Sequence, residues 1–162
     1  MRLYLVQHGE AVDKNRDPDR PLTSKGFEEV ASVGSFLGKH GLSVHEIWHS
    51  GRNRACQTAE VLLDHLCAEC GLKKMEGLGP NDPTNQVWDA LSNREGDLVL
   101  VGHLPYLDKL ASRLLTGDEE AGVIAFQKGG VVCLECDETG KWRVHWMIGP
   151  NLVMTHGAHG RK

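Results

Sequence analysis

The 162-residue chain has no apolar run near the ~18 residues needed to cross a bilayer, so a membrane span is not expected. Its opening apolar stretch, Met1 to Val6, is too short for the core of a signal peptide, which predicts a cytoplasmic protein. It has no basic excess. Eighteen Lys and Arg stand against 22 Asp and Glu, for a formal charge of −4. A nucleic-acid partner is therefore not expected, although one local cationic pocket is compatible with any net charge. No Gly-x-Gly-x-x-Gly follows the first apolar run, which argues against dinucleotide binding. Internal repeats and low-complexity segments are absent. Apolar residues at 40% and charged residues at 25% describe an ordinary globular chain.

The five cysteines are an odd number without a secretory signal, which predicts reduced thiols. Cys67/Cys70 and Cys133/Cys136 imitate zinc-ribbon pairs, but the gap between them is long. The first pair falls in a stretch read as helix. The second falls in a stretch read as strand, where residues three apart face opposite ways. Small buried apolar side chains are the expected role, with no metal. The tail from His156 to Lys162 is Gly-rich and aperiodic. A domain over 1–153 and a flexible tail over 154–162 are expected, with adventitious metal binding by the tail as the alternative.

Short β-like runs alternate with helical patterns. They predict a three-layer α-β-α domain around a mixed, mostly parallel sheet. Strands are expected at Arg2–Gln7, Val44–His49 and Asp97–Val101, with a hairpin formed by Gly129–Cys136 and Lys141–Met147. Thr23 is the expected N-cap of a helix to Lys39, with Phe27, Val30, Ala31, Gly34, Leu37 and Gly38 inward. A second helix is expected from Arg52 to Glu69, with Ala55, Ala59, Leu62, Leu63 and Leu66 inward and Gly71 as its stop. A short helix is expected over 84–92. A fourth carries the stripe Leu107, Leu110, Ala111, Leu114 and Leu115.

Three segments fall just beyond expected strand ends, where α/β proteins place their sites. They are Gln7-His8-Gly9-Glu10, Ser50-Gly51-Arg52-Asn53-Arg54-Ala55 and Gly102-His103-Leu104-Pro105. Arg52, Arg54 and His103 lie near helix N-termini, which favour anions. Two histidines and up to two arginines converging there suit an anion of phosphate size. His40, His45, His49, His65 and His145 match no such position and are expected to be structural or exposed.

These segments carry a resemblance. The chain resembles the histidine phosphatase superfamily, the phosphoglycerate mutase-like group, and within it the SixA family of phosphohistidine phosphatases. The likeness rests on Gln7-His8-Gly9 where the family has Arg-His-Gly, and on Pro21-Leu22-Thr23-Ser24-Lys25-Gly26. It continues with Ser50 and Arg54-Ala55-Cys56-Gln57-Thr58, then Gly102-His103-Leu104-Pro105, then Gly149-Pro150-Asn151-Leu152, in family order. It implies two-step phosphoryl transfer without cofactor or metal. His8 is the implied nucleophile, Arg54 the phosphate clamp, and His103 the donor to the transferring phosphoryl group. The implied partner is a phosphohistidine-bearing protein, such as a phosphotransfer domain or carrier.

Two departures bear on function. Gln7 keeps an N–H donor but lacks the charge of the family's Arg. Arg20 is the first candidate to compensate and Arg52 the second. Alternatively, Gln7 marks a weakened enzyme or a phosphoprotein-binding module. The second departure is the proton donor. Neither Glu76 nor Asp82 fits the acid's slot, and Glu10 stands as a group that tunes His8 or serves as the acid. An alkoxide leaving group needs a general acid. A phosphohistidine ring leaves as neutral imidazole and needs one less. The compact chain and the missing acid favour phosphohistidine over small phosphate esters, which stay as the enzymatic alternative.

Overall fold

The computed structural model describes residues 1–154. Of the tail expected to be flexible over 154–162, residues 155–162 lie outside the described residues.

Strand β1 (Arg2–Gln7) leads through a long polar loop to α1 (Ser24–Lys39). Strands β2 (Ser43–Val44) and β3 (Glu46–His49) precede α2 (Asn53–His65). Strands β4 (Cys67–Ala68) and β5 (Leu72–Lys74) precede α3 (Asn85–Ser92). Then come β6 (Leu98–Gly102), α4 (Tyr106–Thr116), the hairpin β7 (Val131–Cys136) and β8 (Trp142–Ile148), and α5 (Pro150–Val153). The main sheet runs β5-β3-β6-β1-β7-β8. Pairs β5/β3, β3/β6 and β6/β1 are parallel, and β1/β7 and β7/β8 antiparallel. This is the expected mixed, mostly parallel sheet.

Both faces of the sheet are covered, which explains why its central strands read as unbroken apolar runs. Leu3, Leu5, Leu98 and Leu100 pack on one face with Val87 and Leu91 of α3 and Leu107 and Leu110 of α4. Tyr4, Val6, Val99 and Val101 pack on the other with Val30, Val33 and Leu37 of α1 and Ala55, Ala59 and Leu62 of α2. Parallel register sets Gln7 opposite Gly102 and His49 opposite Val101, so β1, β3 and β6 end together. That common edge carries the site. Among the described residues, no helix is long and apolar enough to cross a membrane.

The structure corrects several expectations. In α1, Phe27 is exposed and Val33 takes its place in the core. The helix is seated by glycines that approach other backbone closely. A Cβ on Gly26 would lie 2.2 Å from the Glu10 carbonyl oxygen, and one on Gly38 would lie 2.3 Å from that of His65. The single strand expected over Val44–His49 is two strands, because the His45 N–H turns aside to the Asp97 carbonyl. Helix α2 ends at His65 rather than Glu69. Leu66 is extended, and the chain continues into β4, which pairs in parallel with β2. Cys67 and Cys70 are therefore neither helical nor buried, whereas Cys133 is fully buried. Strand β5 had no expectation. Its sequence, Leu72-Lys73-Lys74, has neither alternation nor an apolar run.

Gly26→Ala tests the seating of α1. The new methyl has only rigid backbone to displace, so a loss of about 2–3 kcal/mol is expected. At about 2–4 °C per kcal/mol for this chain length, the thermal midpoint falls by about 4–12 °C. An unchanged midpoint in a thermal melt would contradict the close approach.

Candidate active site

His8 follows the last residue of β1. Its own N–H continues the parallel ladder by donating to the Gly102 carbonyl, at 3.1 Å. The ring is buried, and Nδ1 lies 2.7 Å from the Gly9 carbonyl oxygen. A carbonyl only accepts, so Nδ1 carries the proton and Nε2 keeps its lone pair. Nε2 faces the Arg54 Nε–H at 3.3 Å. The nitrogen free to attack a phosphorus atom thus sits against a cation that would hold the phosphoryl oxygens.

The neighbours of His8 fix that geometry. The Gly9 N–H donates to Thr58 Oγ1 at 3.0 Å, and the Thr58 hydroxyl donates to the Arg54 carbonyl at 2.8 Å. Thr58, fully buried, joins the loop after β1 to the first turns of α2. A Cβ on Gly9 would stand 2.9 Å from Val30 Cγ2, which explains the glycine. The Leu22 N–H donates to Gln57 Oε1 at 2.8 Å, tying the Pro21-Leu22-Thr23 segment to α2. Thr23 caps α1 by accepting from the Gly26 N–H at 3.0 Å.

His103 follows β6 and is nearly inaccessible. Its ring centroid lies 5.1 Å from that of His8. Nε2 is 2.6 Å from the Ser50 hydroxyl, while Nδ1 is buried without a partner among the described residues. A buried orphan N–H is the costlier state, which favours a proton on Nε2, donated to Ser50 Oγ. His103 thus holds a proton that an arriving phosphoryl oxygen can take as a hydrogen bond. Ser50 is read in the sequence only as the opening letter of the Arg54-containing motif, with no role of its own.

Burial pushes the His8 imidazole down to about 4, against the Gly9 hydrogen bond, and Arg54, Lys128 and Arg20 add positive charge nearby. Burial likewise pushes His103 down to about 3, followed by the charges of Arg54, His8, Arg52 and Arg20. Both rings are neutral near pH 7, the state in which an imidazole can attack an electrophile or donate a hydrogen bond. The cations they feel make the pocket attractive to an anion.

The remaining expected site residues fall as follows. Gln7, at the end of β1, is buried, and its carbonyl accepts from the Gly129 N–H at 2.9 Å. Arg20 is half-buried with a left-handed backbone (φ 45°), and its Nε donates to the Val12 carbonyl at 3.1 Å. Its charge is felt at His8, Arg54 and His103, although among the described residues its side chain bonds to none of them. Arg52 is exposed at the N-cap of α2. Its Nη2 lies 3.8 Å from where a Cβ on Gly79 would stand, beside Asp82. Glu10 is held elsewhere. Its carboxylate accepts from the Thr23 hydroxyl at 2.7 Å, and among the described residues it bonds to none of His8, Arg54 and His103. Asp82 accepts from the Gly79 N–H at 2.7 Å, and Glu76 is exposed. His49, read as structural or surface, is buried and accepts from the Gly51 N–H at 3.1 Å, shaping the turn before α2. Lys128 was missed, because nothing periodic or motif-like marks its loop.

The superfamily model "Histidine phosphatase superfamily (branch 1)" matches residues 3–79, which contain the His8 and Arg54 segments. The chain belongs to this superfamily. An uncharacterized protein of Picosynechococcus sp. is 34% identical over 147 residues, covering 80% of this chain and 86% of that protein. The protein histidine phosphatase SixA, solved with tungstate, superposes with a TM-score of 0.83 at 24% identity, over 95% of this chain and all of that one. A phosphoserine phosphatase mutant of Entamoeba histolytica, in complex with phosphoserine, gives 0.71 at 15% identity, over 94% and 99% of the two chains. The two solved structures share the fold, which is that of the superfamily.

The depressed imidazoles set a test. A folded-state value below the ordinary 6.5 means that the unfolded chain binds protons the folded chain refuses. Stability is fully present above about pH 6.5 and falls as pH drops toward 4 for His8 and toward 3 for His103. The slope approaches about 1.4 kcal/mol per pH unit for each ring. Urea denaturation between pH 7 and 4 should show His8→Asn losing less stability over that window than the wild type. Equal losses would mean that His8 is not held neutral by the fold.

Proposed function

We propose that the chain is a protein phosphohistidine phosphatase of the cytoplasm that works through a phospho-His8 intermediate. The observation that carries this reading is the lone pair of His8 Nε2, set free by the Nδ1 bond to Gly9 and facing Arg54 Nε at 3.3 Å. In the first step Nε2 attacks the phosphorus. The bond from phosphorus to the substrate's ring nitrogen breaks, and its electron pair stays on that ring. With its other nitrogen already protonated, the substrate histidine departs as neutral imidazole. Arg54, with Arg20, Arg52 and the Gln7 amide, neutralises and orients the phosphoryl oxygens, and His103 donates to one of them. Water then attacks phospho-His8, releasing inorganic phosphate and restoring the imidazole. No step calls on a metal or cofactor.

Two features favour phosphohistidine over a phosphate ester. The carboxylates that an alkoxide departure would need are engaged or remote, with Glu10 bonded to Thr23 and Asp82 to Gly79. The rim also carries an apolar residue for a protein surface to cover, since Leu104, next to His103, is 40% exposed. Such a rim suits a phosphorylated side chain on a protein surface, on a phosphotransfer domain or carrier.

The test is phosphate release from a purified phosphohistidine-bearing phosphotransfer protein, in chelator, beside a panel of small phosphate esters. Turnover on the phosphoprotein well above that on the esters is expected. Preference for an ester would support the small-ester reading. Tight binding of the phosphoprotein without turnover would make the chain a binding module, as the loss of charge at Gln7 suggests.

A further inference from the structure

The proposed reaction leaves a gap in charge at position 7. Gln7 is buried at the end of the central strand and next to the nucleophile, yet it brings no cation. The segment that covers this strand end does. Gln127 to Gly130 form a β-turn closed by the Gly130 N–H donating to the Gln127 carbonyl at 2.9 Å. Gly129, the third residue, has φ 72°, the sign of a type II turn. Lys128 occupies the corner position before it.

The turn is fastened on several sides. The Gly129 N–H donates to the carbonyl of Gln7 itself at 2.9 Å. A Cβ on Gly129 would touch Pro150 and Val30 at 3.4 and 3.5 Å, and one on Gly130 would stand 3.0 Å from the Gln127 carbonyl oxygen and 3.2 Å from that of Ile148. Gly129 and Gly130 are thus buried and fixed, while Lys128 is exposed. Among the described residues it has no ion-pair partner. Its charge bears on His8 more strongly than that of Arg20 does, whereas Arg52 and Arg20 are the outlying cations that bear on His103. The bond from the Gly129 N–H to the Gln7 carbonyl thus sets Lys128 beside the strand end that His8 follows.

We propose that Lys128 is a phosphate-binding residue, presented at the end of β1 by the Gln127–Gly130 turn and supplying the positive charge that Gln7 lacks. The inference rests on the phosphatase reading, but its test does not depend on turnover. An ammonium on a flexible stem is a point charge rather than a bidentate fork, so it adds attraction more than orientation.

The probe is tungstate, a tetrahedral oxyanion, titrated calorimetrically into the wild type, Lys128→Gln, Lys128→Arg, Gln7→Arg and the double variant Gln7→Arg/Lys128→Gln. Lys128→Gln should weaken tungstate binding about tenfold and raise KM for a phosphohistidine protein, while Lys128→Arg stays near wild type. Gln7→Arg should restore binding to the Lys128→Gln background, with a smaller gain in the wild type, because both cations serve one anion. Binding by Lys128→Gln within twofold of wild type would overturn the proposal. So would equal gains from Gln7→Arg in both backgrounds. If no phosphohistidine protein is turned over but the coupling persists, the phosphatase reading fails and Lys128 remains an anion-binding residue. Lys128 is exposed, and a thermal melt checks that each of its variants folds.

Discussion

His8→Ala is expected to reduce phosphate release by at least about 10⁴-fold, to near the uncatalysed rate, as for other enzymes stripped of a covalent nucleophile. No other group replaces it. The nearest imidazole, His103, is engaged with Ser50 through Nε2. The loss should fall on kcat, because Arg54, Arg20 and Arg52 still attract the phosphoryl group. Tungstate should therefore still bind. His8→Ala with wild-type turnover would remove His8 from the chemistry. Loss of tungstate binding together with a collapsed thermal melt would trace the defect to folding, and His8→Asn, closer in shape, would then separate the two causes.

Arg54→Ala is expected to lower kcat/KM by about 10³-fold, in the range seen when a preorganised donor to developing charge is removed. Arg54→Lys should recover only part of this, because an ammonium restores charge without the planar fork. A second readout distinguishes electrostatics from packing. Arg54 is the leading charge that holds His8 near 4 and His103 near 3, behind burial. Its removal raises both values, so the acidic fall in kcat/KM should move toward neutral pH in Arg54→Ala and much less in Arg54→Lys. An acid limb that stays in place in Arg54→Ala would contradict the close pairing of Arg54 Nε with His8 Nε2.

The core of the site was legible because each part follows a strand in sequence. A buried parallel strand reads as an apolar run, and the residues after it stand at the sheet's carboxyl edge. His8, Arg54 and His103 could be placed together on that ground, and the parallel register of β1, β3 and β6 puts them there. Gln57 and Thr58 were visible as motif letters, but their work is to tie loops to α2, which only the hydrogen bonds reveal. Glu10 shows the opposite case. A carboxylate two residues from His8 invites a catalytic reading, yet it bonds to the Thr23 hydroxyl. Lys128 lies far along the chain in a loop without pattern, and tertiary packing alone carries it to β1. The helical reading through Cys67 failed because short parallel pairing with β2 takes over after Leu66, and two-residue strands have no sequence period.

The most direct test of His8 as the nucleophile is rapid-quench labelling with a ³²P-phosphohistidine protein. Label should appear on His8 before free phosphate accumulates, be lost in acid and kept in base, and chase fully into inorganic phosphate when unlabelled substrate is added. Steady phosphate release with no label on His8 at any time, or with label on another residue, would contradict the two-step route.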